Sequence, residues 1–446
     1  MTSTPVQSST QDPSARSLGD GVTGRSRPSA PSAEPRTLGE RLSAATERVP
    51  GPVAVVDLDV FDANARELLA RAGGVPVRLA SKSVRVRSLV ERAGRLGFAG
   101  IMAYSLAEAL WLVEQGARDV LVAYPTVDRQ ALGELAADPA ARREITLMVD
   151  DVAQVALVAT ALAGHRGADA AERAAGDAGE VDTPPVLLCL DIDASLRLGV
   201  GPFTVHLGTR RSPVHTPAEA AALARAIATL PGLRVRGLMF YEAQVAGLPD
   251  TSPAVRLVKK ASVADLSTRR GEVIAAVRDA VGHELELVNS GGTGSLETSA
   301  ADPVVTEVTS GSGLFVPGLF DGYRSFVPHP SAYFGLDVVR VPAPGYATAF
   351  AGGYVASGPA GAARVPRVVE PGWRLTSSEG VGEVQTPLHV ARGHRDAREL
   401  AVGDRVWFRH AKAGELMERF DRVQLVRGDQ VVEEVPTYRG EGKNFG

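Results

Sequence analysis

The chain has a single cysteine, Cys189, among its 446 residues. An intrachain disulfide is therefore impossible, and a zinc site built from several cysteines is excluded. One cysteine fits a reducing compartment, and the expected location is cytoplasmic. Long apolar runs are also missing. None reaches the ~18 residues that a membrane-spanning helix requires, and the start of the chain lacks the apolar stretch of a secretory signal. Neither does one sign of charge dominate. Lys and Arg number 48 against 52 Asp and Glu, a net charge of −4, so the basic footprint of a nucleic-acid partner is absent. What the chain has in excess is glycine, 47 residues, where about 7% is usual. Extra glycine implies many tight loops.

Residues 1–36 are rich in Ser, Pro, Thr and Gly and carry almost no large apolar side chains. With nothing to bury they are expected to form a disordered tail. A second low-complexity stretch, His165–Pro185, reads as a surface excursion between ordered elements. Between these stretches short apolar runs alternate with helical patterns. The runs are Val77–Ser81, Ala99–Tyr104, Val120–Tyr124, Ile145–Val149, Val186–Asp193, Val235–Tyr241, Leu285–Ser290 and Val304–Thr309. The helices include Leu106–Gln115 and Pro217–Thr229. Eight such repeats predict an α/β fold, a (β/α)8 barrel of the TIM type. After about residue 330 short strand-like runs separated by Gly and Pro predict a small all-β C-terminal domain. Val53–Leu58 is one more strand-like run with no place in the barrel, and it is expected to pair with that C-terminal sheet. The expected division is a tail over 1–36, a barrel over 59–328, and a β-domain made of 37–58 plus 329–446.

Barrel enzymes carry their chemistry at the C-terminal strand ends. The first strand ends in Lys82, placed to point into the barrel mouth. A lysine there can form a Schiff base with a carbonyl compound; a solvated loop lysine is the other reading. Strand seven runs into Asn289-Ser290-Gly291-Gly292-Thr293-Gly294-Ser295, and strand eight into Ser310-Gly311-Ser312-Gly313. Glycines let backbone amides turn toward an anion, and hydroxyls add donors. Loops after strands seven and eight are the usual phosphate site of this fold. A lysine and a phosphate cup in one barrel mouth point to pyridoxal 5′-phosphate (PLP).

In these features the chain resembles the fold-type III PLP enzymes, the group of alanine racemase, D-threonine aldolase and D-serine dehydratase. The carriers are Ala54-Val55-Val56-Asp57-Leu58-Asp59 ahead of Asn64, Lys82, Arg197-Leu198-Gly199-Val200, Gly237-Leu238-Met239, Asn289-Ser290, and Glu307 with Gly311. The resemblance implies that Lys82 holds PLP and transfers protons. It implies that Ser290, Gly292, Thr293, Gly294, Gly311 and Ser312 contact the phosphate. Arg78 is a neighbouring cation and is expected to contact the cofactor. Tyr241 stands where the racemases carry a histidine beside the pyridine ring; a core tyrosine is the alternative. Arg197 would face the cofactor's phenolic oxygen or a substrate carboxylate, a surface salt bridge being the alternative. Thr309 takes the place of an arginine that often faces the pyridine nitrogen. The group is usually dimeric, so a homodimer is expected.

One departure concerns metal. The aldolase and dehydratase branch has a His-x-Cys or His-x-Asp pair that binds a divalent metal near its C-terminus. Here the pair is His410 and Lys412, and a lysine ammonium has no free lone pair. Three readings stay open: His410 as a ligand with Glu415 or another carboxylate, the Lys412 ammonium in place of the metal, or a structural histidine. The expected function is a PLP-dependent amino acid lyase, on a D-3-hydroxy amino acid, by aldol cleavage or by dehydration with deamination. The alternatives are an amino-acid racemase using Tyr333, Tyr346 or Tyr354 as second base, a non-catalytic PLP-binding protein, and a sugar-phosphate barrel enzyme without PLP.

Overall fold

A computed structural model describes residues 36–173, 184–199 and 201–446. The expected tail, 1–36, falls outside the described residues except for Arg36. Eight parallel strands close into a barrel. In order they are Val77–Ala80, Ile101–Ala103, Val120–Val122, Ile145–Val149, Val186–Asp191, Leu233–Phe240, Leu287–Ser290 and Glu307–Ser310. The eighth pairs with the first, Val308 opposite Val77 and Ser310 opposite Leu79. All eight runs read from the sequence are these barrel strands. Ile145–Val149 is buried at every position, as expected of a strand covered by helices outside and side chains inside.

The helices between the strands begin where the chain supplies caps. Ser105 accepts from the Glu108 amide at the start of Leu106–Glu114. Thr216 and Glu219 form a reciprocal capping box at Pro217–Ala228, with proline in its first turn, and each such cap contributes about 1 kcal/mol. The helix Val152–Arg173 runs through His165, so the first part of the low-complexity stretch is helical rather than loop. Ala is a strong helix former whatever its complexity. Residues 174–183 lie outside the described residues. A hairpin, Leu196–Leu198 with Val205–Leu207, follows the fifth strand and had no clear periodic signal. No helix among the described residues is long and apolar enough to cross a membrane.

A nine-stranded sheet accompanies the barrel. Within it Val53–Asp57 pairs antiparallel with Ala332–Arg340 and parallel with Arg422–Arg427. Arg405–Arg409 joins the other edge of Ala332–Arg340, Phe334 opposite Phe408. These two rings stack with centroids 5.1 Å apart. One apolar core continues from the sheet (Phe334, Phe408, Trp373) to the helices beside the first and eighth strands (Phe61, Phe315). The sheet therefore leans on the part of the barrel that carries Lys82 and the loop after strand eight.

Candidate active site

Strand alternation decides what the barrel mouth contains. On the first strand Arg78 and Ala80 face inward, one layer apart. Arg78 is wholly buried and commits its guanidinium to Glu307 at 2.6 Å and Asp119 at 2.7 Å. Asn289 donates to Glu307 and to Thr309 in the same layer. Above lie Met102, Leu121, Met148, Cys189, Met239 and Leu287, an apolar plug against which Tyr124 and Tyr241 pack. Arg78 thus sits below the plug and does not reach the mouth. Its assignment as a cofactor contact is corrected to a buried structural ion pair.

Above the plug opens a cavity of about 840 Å³, within the range of small-molecule sites. Lys82 lines it from the short turn Ser81–Ser83 after the first strand. The turn is tied down on both sides. Ser81 Oγ donates to the Met102 carbonyl at 3.0 Å, and Ser83 and Ser312 share a hydrogen bond of 3.0 Å. The Lys82 ammonium reaches the Tyr124 hydroxyl at 2.5 Å. Arg85, close in sequence, turns away to Glu418 at 2.7 Å.

The two glycine-rich loops line the cavity with Gly291, Gly292, Thr293, Thr309, Ser310, Gly311 and Ser312. Thr293 and Ser310 join the loops through their hydroxyls at 2.9 Å, and the Gly313 amide donates to Thr293. A Cβ at Gly311 would stand 2.6 Å from the Ala80 carbonyl oxygen. Only glycine lets this loop lie so close to the lysine-bearing strand. Ser290 and Gly294 are not part of the lining. Ser290 is buried behind it, accepting from Arg270 and donating to Glu242, so its hydroxyl positions the loop. Gly294 abuts Tyr323 and the Ala246 carbonyl.

Glu242, next to Tyr241, organises this loop. Its carboxylate accepts from Ser290 Oγ, the Gly291 amide, Ser295 Oγ and Ser299 Oγ at 2.6–3.2 Å. Tyr241 itself lines the cavity, and burial pushes its phenol up to about 12. Arg211 lies over its ring, 5.7 Å from the centroid. Asp191 and Asp150 share the wall. Burial first, then the Asp150 charge, pushes Asp191 up to about 7, with Arg211 opposing. Arg197 is not in the cavity. It pairs at 2.5 Å with Asp193, a buried carboxylate that itself lines the cavity, and Arg211 is the arginine that reaches Tyr241. Strand-end reading could have found Tyr124 and Glu242, since each directly follows a barrel strand or its last turn residue. Arg211 follows an irregular hairpin and had no such signal.

An aldehyde-bearing phosphate ester fits this donor set. Lys82 has no carboxylate within ion-pair distance among the described residues, glycines and hydroxyls rim the cavity beside it, and the floor is apolar. A divalent cation fits less well at the C-terminal pair. His410 is buried, its Nδ1 bonded to the Ala332 carbonyl at 3.2 Å and its Nε2 without a partner. Burial, aided by Arg409, drives its imidazole down to about 3, so it is neutral. It packs on Phe315 rather than lining the cavity. Lys412 does line the cavity, and Glu415 is bonded to Lys412 and Ser357. No group of three His, Cys, Asp or Glu side chains suited to a metal occurs among the described residues. Tyr333 donates to the Pro330 carbonyl, and neither it nor Tyr346 nor Tyr354 lines this chain's cavity.

No family model matches the chain. It is 27% identical over 304 residues to D-threonine aldolase of Arthrobacter sp, spanning 67% of this chain and 70% of that protein. It is 25% identical over 276 residues to 3-hydroxy-D-aspartate aldolase of Paracoccus denitrificans (strain Pd 1222), spanning 59% and 60%. Among solved structures, D-threonine aldolase from Filomicrobium marinum superposes with a TM-score of 0.70 at 23% identity, covering 88% of this chain and 96% of that one. D-threo-3-hydroxyaspartate dehydratase from Delftia sp. HT23 gives 0.65 at 21%, covering 88% and 98%. Alanine racemase from Corynebacterium glutamicum gives 0.51 at 17%, covering 80% and 89%. The homologues and structural neighbours of this chain are thus fold-type III PLP enzymes, and its barrel with the attached sheet has their fold.

Proposed function

We propose that this chain is a PLP-dependent lyase acting on a D-3-hydroxy amino acid. The observation that carries the reading is Lys82 sharing one cavity with the Gly291–Thr293 and Ser310–Ser312 loops. The aldolase relatives support the reaction class. PLP, when bound, supplies an electron sink for the charge left at the substrate Cα. Lys82 would hold the cofactor's aldehyde carbon and, as a free amine, would move a proton at the substrate Cα. Thr293, Gly311 and Ser312 would hold the phosphate through hydroxyls and amides, with Gly291 and Gly292 shaping the loop beside them. Tyr241 and Thr309 line the cavity where the ring would lie, and Thr309 would present it a neutral hydroxyl rather than a cation. Arg211, which lines the cavity beside Tyr241, would be available to a substrate carboxylate. The proposal extends to a cytoplasmic homodimer, whose mass light scattering would read. It also keeps the division into a barrel over 59–328 and a β-domain of 37–58 plus 329–446.

The test is the absorption spectrum of protein reconstituted with PLP. Wild type is expected to show a visible band of lysine-bound cofactor, and Lys82→Ala to lose it. Incubation with D- and L-amino acids then separates the outcomes: aldehyde or keto acid as product supports the lyase, and enantiomer alone makes the chain a racemase. A wild type with no band would sink the reading.

A further inference from the structure

Lys412 lines the same cavity as Lys82, and the backbone brings the two together. Gly414 has φ +82°, and a Cβ there would lie 1.9 Å from the Lys82 carbonyl oxygen. The turn that carries Lys412 is therefore in van der Waals contact with the turn that carries Lys82. The Lys412 ammonium is held by Ser357 Oγ at 2.5 Å and Glu415 Oε1 at 2.9 Å. Ser357 closes the triangle, donating its amide and hydroxyl to Glu415 at 2.7 and 2.5 Å. Burial opposes the charge on Glu415, but the hydrogen bonds from Ser357 and Lys412 hold its carboxyl below the usual range. Lysine has three N–H donors. Two are engaged by Ser357 and Glu415, and one is left for a ligand oxygen.

We propose that Lys412 binds the hydroxyl oxygen on the substrate's Cβ, and that this site works without a divalent metal. The proposal rests on the lyase reading above and specifies the side-chain subsite within it. Two features favour a hydroxyl over a second carboxylate. Glu415 balances the Lys412 charge, so the pair acts as an oriented donor rather than a bare cation. A substrate carboxylate at Lys412 would also meet Glu415 at close range. A dication in this place would be repelled by the ammonium, and the neutral imidazole of His410 packs on Phe315 outside the cavity lining.

D-Serine and D-alanine differ only by this hydroxyl, so their relative affinity isolates the subsite. The PLP-loaded protein is mixed with each in a stopped-flow spectrometer, and the concentration dependence of the absorbance change is read, with and without EDTA. Wild type is expected to bind D-serine about tenfold more tightly than D-alanine, the scale of one hydrogen bond to a charged group, and EDTA is expected to change nothing. Lys412→Met should remove the preference by weakening D-serine while leaving D-alanine unchanged, and Lys412→Arg should restore part of it. Calorimetric titration of wild type with Mn²⁺ should show no binding. A preference that survives in Lys412→Met, depends on Mn²⁺, or is absent from a wild type with a normal PLP band overturns this proposal alone. Loss of the PLP band in wild type overturns the lyase reading and this proposal with it.

Discussion

Asp191 shows how one partly buried carboxyl couples the cavity to pH. Its ordinary value is near 3.8, and burial with the neighbouring Asp150 charge pushes it up to about 7. Between about pH 4 and 7 the folded chain therefore keeps a proton that the unfolded chain has released. By linkage, stability contributed at this residue falls as pH rises through that window. Asp191→Asn removes the ionisation and nearly preserves the shape. The melting temperature of the apo variant is expected to match wild type near pH 4 and to exceed it at pH 8. Equal melting temperatures at both values would show that Asp191 ionises normally. The place of Lys82 at the barrel mouth was legible from its position after an apolar run. The division of labour between Arg197 and Arg211 was not. A hairpin of low periodicity separates them, and only folding turns one to Asp193 and the other over Tyr241.

The loop after strand seven is an element whose shape depends on Glu242. Four donors converge on that one buried carboxylate, and Arg270 stands 3.7 Å away with its own partner in Asp302. Truncating a buried charged acceptor leaves its donors and its cation unsatisfied, at a cost of about 3 kcal/mol or more. Glu242→Ala is expected to lower the urea midpoint accordingly and to weaken PLP binding at least tenfold, because Gly291 and Thr293 lose their support. If PLP affinity is unchanged in a folded Glu242→Ala protein, the loop does not hold the phosphate. Serine and glycine in this segment were readable as a possible cup. That Ser290 faces the carboxylate hub, while Thr293 bridges to Ser310, was not. A strand end reverses side-chain direction at every residue, and an error of one position exchanges lining for support.

At the scale of the whole molecule, the C-terminal segment braces the barrel from outside the mouth. Tyr438 is fully buried, packs edge-on against Trp111 with centroids 4.9 Å apart, and donates its amide to the Arg85 carbonyl. Glu108, which burial pushes up to about 7, lies beside Tyr438 and Ser81. The segment therefore presses on the turn that presents Lys82. Tyr438→Ala is expected to cost about 3–5 kcal/mol, as for other large aromatic truncations. It should also broaden or weaken the PLP band, and chemical denaturation followed in parallel at the visible band and by far-UV circular dichroism checks both. An unchanged midpoint would mean that the segment is an ornament.

Local pattern alone determined the barrel. Eight buried strands alternating with capped helices are written in short apolar runs, because a strand covered on both faces tolerates little else. It also determined the lysine, the glycine-rich loops and the order in which they occur. Tertiary structure decided which of these groups meet. Arg78 faces the barrel interior, where Glu307 and Asp119 claim it below the apolar plug. His410 keeps its place in the sequence but is enclosed by Phe315 and the Ala332 carbonyl. Lys412, three residues from Glu415, enters the cavity because Gly414 lets its turn approach the Lys82 carbonyl. Side chains far apart along the chain are brought together by closure of the barrel and docking of the sheet, and a linear pattern carries neither distance nor direction across that gap.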